Sequence, residues 1–157
     1  MTRDDGAMNA DEPIRVAIDR WHQHLRGELP GDLESLLHED CVFWSPVVFR
    51  PQEGRDLTML YLNAAGQVFP GDESPSSSGD PGPSKSSFRY TRQIMEARTA
   101  VLEFETRFGD VAVNGIDMIT CDDDGRIVEF KVMLRPQKAV EAARDRMSKM
   151  IAAMTAE

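Results

Sequence analysis

The chain is short of cysteine, of positive charge and of long apolar runs, and each shortage excludes something. Its two cysteines, Cys41 and Cys121, stand far apart, each within an apolar run. Two are too few for a disulfide framework. Buried reduced thiols in a cytoplasmic protein are the expectation, with a single bridge as the alternative. Lys and Arg number 18 against 27 Asp and Glu, a formal net charge of -9. Nucleic acid and anionic membrane surfaces are both recognised by clustered cations, so neither partner is expected. No apolar run approaches the ~20 residues that a membrane-spanning helix needs. There is no Gly-rich phosphate loop and no nucleophile elbow. His22 and His24 are two apart on a helix and so point in different directions, and His38 follows a separate helix. The Asp122–Gly125 run lacks the spacing of a calcium loop. No metal and no cofactor is therefore expected.

What is present suits one globular domain. The chain has 157 residues, 41% of them hydrophobic, enough for one real core and too few for two. Residues 1–12 are polar and acidic, unlike a secretory signal, and read as a flexible tail; residues 13–153 read as a single domain. Pro13 opens a helix whose apolar face is Ile14, Ala17, Ile18, Trp21 and Leu25. A second, short helix starts at Asp32 and carries Leu33, Leu36 and Leu37. Cys41–Pro46 reads as a strand ended by its proline. Asp56 caps a third helix with Leu57, Leu60, Tyr61, Ala64 and Val68 along one side. Residues 70–87, rich in Ser, Pro and Gly, read as a mobile loop insertion, either a lid or inert. Four strands follow, over 88–95, 100–108, 112–121 and 126–135, joined by short turns into an antiparallel meander. Pro136 opens a last helix striped by Val140, Ala143, Met147, Met150, Ile151 and Met154. The fold class is α+β: helices packed on a curved antiparallel sheet that encloses a pocket.

Turn lengths predict which residues share a face. A two-residue Gly109-Asp110 turn sets Phe104 opposite Gly115 and Leu102 opposite Asp117. A four-residue Asp122–Gly125 turn sets Ile119 opposite Val128 and Asp117 opposite Phe130. The core face then collects Leu102, Phe104, Phe108, Val113, Gly115, Ile119, Cys121, Val128, Phe130, Val132 and Leu134. Asp117 lies in its middle, and Arg126, at the turn, is the other charged residue. The opposite face mixes charges with Ile116, Met118, Ile127 and Met133, half-apolar enough to suggest a second copy of the chain as partner. The register of the 88–95 strand stays open between two settings.

Two segments carry a family resemblance: G-D-L-E-S-L-L-H-E-D-C-V-F-W-S-P at 31–46 and G-I-D-M-I-T-C-D-D-D-G-R-I-V-E-F-K-V-M at 115–133. With the order of elements, they resemble the nuclear transport factor 2-like superfamily, in its SnoaL-like bacterial branch, over roughly Pro13 to Lys138. The resemblance implies a cone-shaped domain, a pocket between sheet and helices, and a homodimer through the outer sheet face. The distantly similar ketosteroid isomerases carry a catalytic Asp just before the proline that ends the first strand, and Ser45 stands there here. Their other Asp, in the motif that reads G-I-D-M here, is retained as Asp117. Their helix-one Tyr has no counterpart; Trp21 and His22 are nearest. The Asp-Arg-Asp set of limonene epoxide hydrolases falls near Glu105, Arg107 and Val132, and their Tyr/Asn pair on Phe43 and Ser45, so that machinery is not reproduced. SnoaL-like cyclases often read G-[KR]-I-V-E-H-W where this chain has Gly125-Arg126-Ile127-Val128-Glu129-Phe130-Lys131; the His-Trp pair is gone.

Asp117 is the expected acid or base. Among Leu102, Ile119 and Phe130 its pKa should rise by desolvation, and when protonated it can donate to a ligand carbonyl or phenolate. The competing reading is a structural acid paired with Arg92, Tyr90 or Tyr61. The expected pocket lining is Trp21, Phe43, Ser45, Tyr61, Tyr90, Phe104, Asp117, Ile119 and Phe130. Three functions stay open. The first is binding of a small apolar molecule without turnover. The second is an isomerase, cyclase or hydratase acting on a carbonyl compound through Asp117. The third is a protein-interaction module with a filled core.

Overall fold

Pro13 starts α1 (Pro13–Leu25), where its missing N–H has no bond to lose, and the helix buries Ile14, Ala17, Ile18 and Trp21. After a turn comes α2 (Asp32–Leu36), which buries Leu33 and Leu36. β1 (Leu37–Trp44) follows directly. It begins four residues before the expected Cys41, because Leu37 pairs with a neighbouring strand instead of ending the helix. The two-residue β2 (Gln52–Glu53), which no sequence signal marks, pairs with β1. α3 (Arg55–Val68) then leads to β3 (Arg89–Glu96), β4 (Thr99–Phe108), β5 (Val111–Cys121), β6 (Ile127–Arg135) and α4 (Gln137–Thr155). The computed structural model describes residues 12–69 and 87–155. The expected tail, Glu12 apart, and the expected 70–87 insertion with its lid role, Ser87 apart, lie outside the described residues. Among the described residues no helix is long and apolar enough to cross a membrane.

The six strands form one open sheet in the order β2-β1-β6-β5-β4-β3. β1 runs parallel to β6, so the sheet is mixed rather than wholly antiparallel. The return from β1 passes through α3 and the meander, and so a chain that leaves one edge region re-enters beside β1 in the same direction.

The β4–β5 register is the one its turn dictates: Phe104 opposes Gly115 and Leu102 opposes Asp117. Gly109 has φ 59°, the left-handed value that a two-residue hairpin with glycine first requires. The β5–β6 register differs from expectation by two residues. The Asp122 N–H donates to the Arg126 carbonyl at 2.8 Å, and the Asp122 side chain accepts from the N–H groups of Asp124 and Arg126, each at 2.9 Å. The turn therefore closes over three residues, not four. A bulge at Val128 adds the second residue of offset. Because the two offsets sum to an even number, Phe130, Val132 and Leu134 still face inward. Their partners change: Asp117 opposes Val132, and Ile119 opposes Phe130. Two expectations are overturned by the bulge and the tighter turn. Ile127, expected on the outer face, is 0% exposed and pairs with Leu37 of the parallel strand. Arg126, expected on the core face, is exposed.

A bulge at Thr91 fixes the open register of β3, so that Tyr90 opposes Phe104 and Gln93 opposes Leu102. Tyr90 thereby joins the inward side. The helices cover this concave face, α4 burying Ala139, Ala143 and Met147, and α3 burying Thr58, Leu62, Ala64 and Val68. Thr58 is the exception to the apolar stripe; its hydroxyl reaches the Cys41 carbonyl at 3.5 Å.

Gly115 sits mid-strand where a side chain would collide. A Cβ there would lie 2.6 Å from the Met133 carbonyl oxygen and 2.6 Å from Cζ of Phe104. The first neighbour is backbone and cannot yield without breaking the β5–β6 pairing. Gly115→Ala should therefore cost roughly 1–3 kcal/mol in urea unfolding, as overpacking does. A variant as stable as wild type would show that the Phe104 ring is not seated against this glycine.

Candidate functional site

Six strands and four helices do not fill the concave side. A cavity of about 450 Å³ remains between the sheet, α1 and α3, within the range of roughly 300–1,000 Å³ usual for small-molecule pockets. Of the chain's eleven aromatic residues, six border it: Trp21, Phe69, Phe88, Tyr90, Phe104 and Phe130. They hold one another in place. Phe88 stacks on Phe104 at 4.9 Å and meets Tyr90 edge-on at 5.0 Å, and Trp21 meets Phe130 edge-on at 4.9 Å. Phe69 abuts Phe104 at 5.8 Å, its carbonyl accepting from the Thr106 hydroxyl at 3.0 Å. Edge and offset contacts of this kind are each worth about 1 kcal/mol beyond buried area, so the cage is preformed. Leu25, Leu62, Ala65, Gly66 and Val132 complete the apolar wall.

One polar chain crosses this wall. The Trp21 indole N–H donates to the Tyr90 hydroxyl at 2.9 Å, and that hydroxyl donates to Oδ2 of Asp117 at 2.7 Å. The three residues come from α1, β3 and β5. The inward turn of Tyr90 depends on the Thr91 bulge, and that of Asp117 on alternation along β5. Asp117 is 6% exposed. Burial pushes its carboxyl up to about 7, against the smaller opposing effect of the Tyr90 hydrogen bond. Burial, then the neighbouring Asp117 charge, hold the Tyr90 hydroxyl well above its ordinary value, so it stays a donor. Among the described residues Tyr90 is the one hydrogen-bond partner of the Asp117 carboxyl, which leaves its second oxygen for whatever occupies the cavity. Near neutral pH that oxygen can donate or accept.

Five of the nine residues expected to line a pocket border this cavity: Trp21, Tyr90, Phe104, Asp117 and Phe130. The other four do not. Phe43 lies behind Phe130, packed between it and Tyr61. Ile119 is fully buried. Ser45 stands at the end of β1, its hydroxyl accepting from the Val47 N–H at 3.1 Å. Of the three candidate partners for Asp117, Tyr90 is the one that meets it; Arg92 instead pairs with Glu103 at 3.5 Å on the outer side. The sequence reading missed His24, Phe69 and Phe88 as lining residues. Its sequence spacing raises His24 only as a candidate metal ligand, and among the described residues no cluster of three His, Cys, Asp or Glu could hold an ion. It packs against Trp21 at 5.3 Å, one helical turn back, and burial lowers its pKa while Asp32 pulls weakly the other way. Cys41 and Cys121 are free, buried thiols, and both are raised, chiefly by burial.

No protein-family model and no curated protein matches the chain. Among solved structures it is similar to a steroid delta-isomerase from Pseudomonas aeruginosa, with 34% identity over 92% of this chain and 96% of that one and a TM-score of 0.77. It is also similar to an uncharacterised protein with a cystatin-like fold from Silicibacter pomeroyi, with 29% identity over 96% of this chain and 89% of that one and a TM-score of 0.64. A protein of unknown function from Mesorhizobium loti, described as NTF2-like, shares the fold at 19% identity over 82% of this chain and 95% of that one, with a TM-score of 0.60. The chain belongs to the nuclear transport factor 2-like superfamily.

The raised carboxyl has a stability consequence with a definite sign. An acid whose folded pKa is about 7 against an ordinary 3.8 binds its proton more tightly when folded. Its contribution favours folding at low pH and is lost as pH rises towards the folded value. At about 1.4 kcal/mol per pH unit, tapering as the folded value is reached, wild type should lose roughly 2 kcal/mol relative to Asp117→Asn between pH 5 and pH 7. Urea unfolding of both proteins at pH 5, 7 and 8 measures this. Parallel pH dependences would mean that Asp117 is ionised throughout.

Proposed function

We propose that this chain binds a small, largely apolar molecule bearing one carbonyl or phenolic oxygen, and that Asp117 anchors that oxygen. One observation carries the reading: a single inward carboxyl, its second oxygen free, in an aromatic cavity of about 450 Å³. An apolar body would fill the cage of rings, and its one polar atom would meet the carboxyl oxygen that Tyr90 leaves free. A cavity of that size also weighs against a filled-core interaction module.

A second reading is turnover: an isomerase, cyclase or hydratase acting on a carbonyl compound, with Asp117 as acid or base. It is favoured by the 34% identity to a protein described as a steroid delta-isomerase and by a carboxyl poised at about 7. The free buried thiols accord with a cytoplasmic setting.

Thermal unfolding with α-tetralone and 2-naphthol as probes tests the binding reading. Ligand at 100 times its Kd adds about 2.7 kcal/mol to native stability, so Tm should rise with dose. Asp117→Leu keeps the shape and removes the anchor, and should weaken Kd about tenfold, the worth of one hydrogen bond. No rise with either compound in wild type would sink the reading.

The reading includes a homodimer through the outer sheet face. Ile116 and Met118 are part-exposed there, Ile94 is 57% exposed and Met133 45%, all rimmed by Arg92, Glu103 and Lys131. Light scattering should return twice the 17.6 kDa chain mass, and Met118→Glu with Met133→Glu should return it to one. A monomeric wild type at micromolar concentration would remove the second copy from the reading.

A further inference from the structure

Resting on the turnover reading, we propose that His24 is the base of this pocket: it takes a proton from an enolisable carbon of the ligand whose carbonyl is held at Asp117, and returns it. The assignment follows from which titratable groups reach the cavity. Three do: His24, Tyr90 and Asp117. Tyr90 has its proton committed to Asp117 and its oxygen committed to Trp21. Asp117 is the group that meets the ligand oxygen. Ser45, at the position where ketosteroid isomerases carry their base, is bonded to the Val47 backbone and does not border the cavity. His24 is left, and its placement suits the task. It stands one helical turn beyond Trp21 with the rings 5.3 Å apart. The indole contacts both groups: its ring packs against the imidazole, and its N–H donates to the Tyr90 hydroxyl that in turn donates to Asp117. An enolisable carbon is bonded to the carbonyl carbon, so a ketone with its oxygen on Asp117 presents that carbon beside the anchor, and His24, lining the same cavity, is the titratable group left to meet it.

The environments push the two groups in compatible directions. Burial keeps the imidazole neutral below its ordinary value, so it has a free nitrogen lone pair. Burial keeps the carboxyl protonated up to about 7, so it can donate to the oxygen on which charge develops. In the step, the C–H bond breaks and its proton goes to the imidazole nitrogen. The electron pair forms the enolate double bond, and the oxygen takes up the charge against the Asp117 O–H. Return of a proton from the imidazolium to carbon reverses this, so the net change in D2O is exchange of hydrogen for deuterium.

Exchange is the readout, because it needs no knowledge of the natural substrate. α-Tetralone has one enolisable methylene, and its loss of signal in D2O is followed by NMR with wild type, His24→Gln and His24→Gly. Wild type should accelerate exchange over buffer. His24→Gln should lower that rate by about 100-fold, the usual worth of a general base, with Kd from thermal titration within about threefold of wild type. His24→Gly should regain exchange when imidazole is added, which a merely structural role would not allow. Full exchange activity in His24→Gln overturns the assignment. So does a wild type that binds α-tetralone without exchanging it, an outcome that leaves the binding reading intact. A wild type that does not bind α-tetralone overturns the assignment, and one that binds neither α-tetralone nor 2-naphthol overturns both.

Discussion

The hydrogen bond from Tyr90 to Asp117 is the contact on which the pocket depends. A carboxyl in an apolar wall is costly when unpartnered, and it becomes tolerable here because a hydroxyl is delivered to it from two strands away. That delivery ties together α1, β3 and β5, since Trp21 in turn holds the tyrosine oxygen. The aromatic cage is arranged around this line. Phe88 and Phe104 lie against Tyr90 on one side, and Phe130 lies against Trp21 on the other. Polar satisfaction and ring packing therefore fix the same three elements, and one geometry answers both demands.

Much of this was legible from residue order alone, for identifiable reasons. The Gly109-Asp110 turn is short enough to allow one register, so the inward placement of Asp117 opposite Leu102 could be counted out from it. The Asp122–Gly125 segment resisted counting because its register is set by a side chain: Asp122 folds back on two backbone N–H groups and shortens the turn. The Val128 bulge then restores the faces from Phe130 onward, so Phe130, Val132 and Leu134 point inward as expected although their neighbours differ, whereas Val128 itself, expected inward, is the part-exposed bulged residue. Ile127 shows the limit of alternation, since a bulge reverses the residue beside it and periodicity carries no mark of where bulges occur. Tyr90 was one of three candidate partners for Asp117 because its strand admitted two registers, and the Thr91 bulge decides between them.

The lining residues that went unrecognised share a different cause. Phe69 and Phe88 close either end of the long Ser- and Pro-rich stretch, where a sequence reader sees the edges of a loop and not the walls of a cavity. His24 sits on a helix whose apolar face is plain, but a half-buried imidazole beside that face gives no periodic signal. Its significance comes from what lies across from it, and that is a property of the folded chain only.

Gly115 touches nothing in the cavity, yet the position of the Phe104 ring depends on it. Because no side chain rises from that point of β5, the ring can sink towards the strand, with Cζ at 2.6 Å from where a Cβ would be. Space withdrawn from the wall is space added to the ligand. The capacity of the pocket is thus governed partly from a position the ligand never meets. Selection for a bulkier or slimmer guest could act on a backbone hydrogen atom in the sheet while leaving every lining side chain as it is.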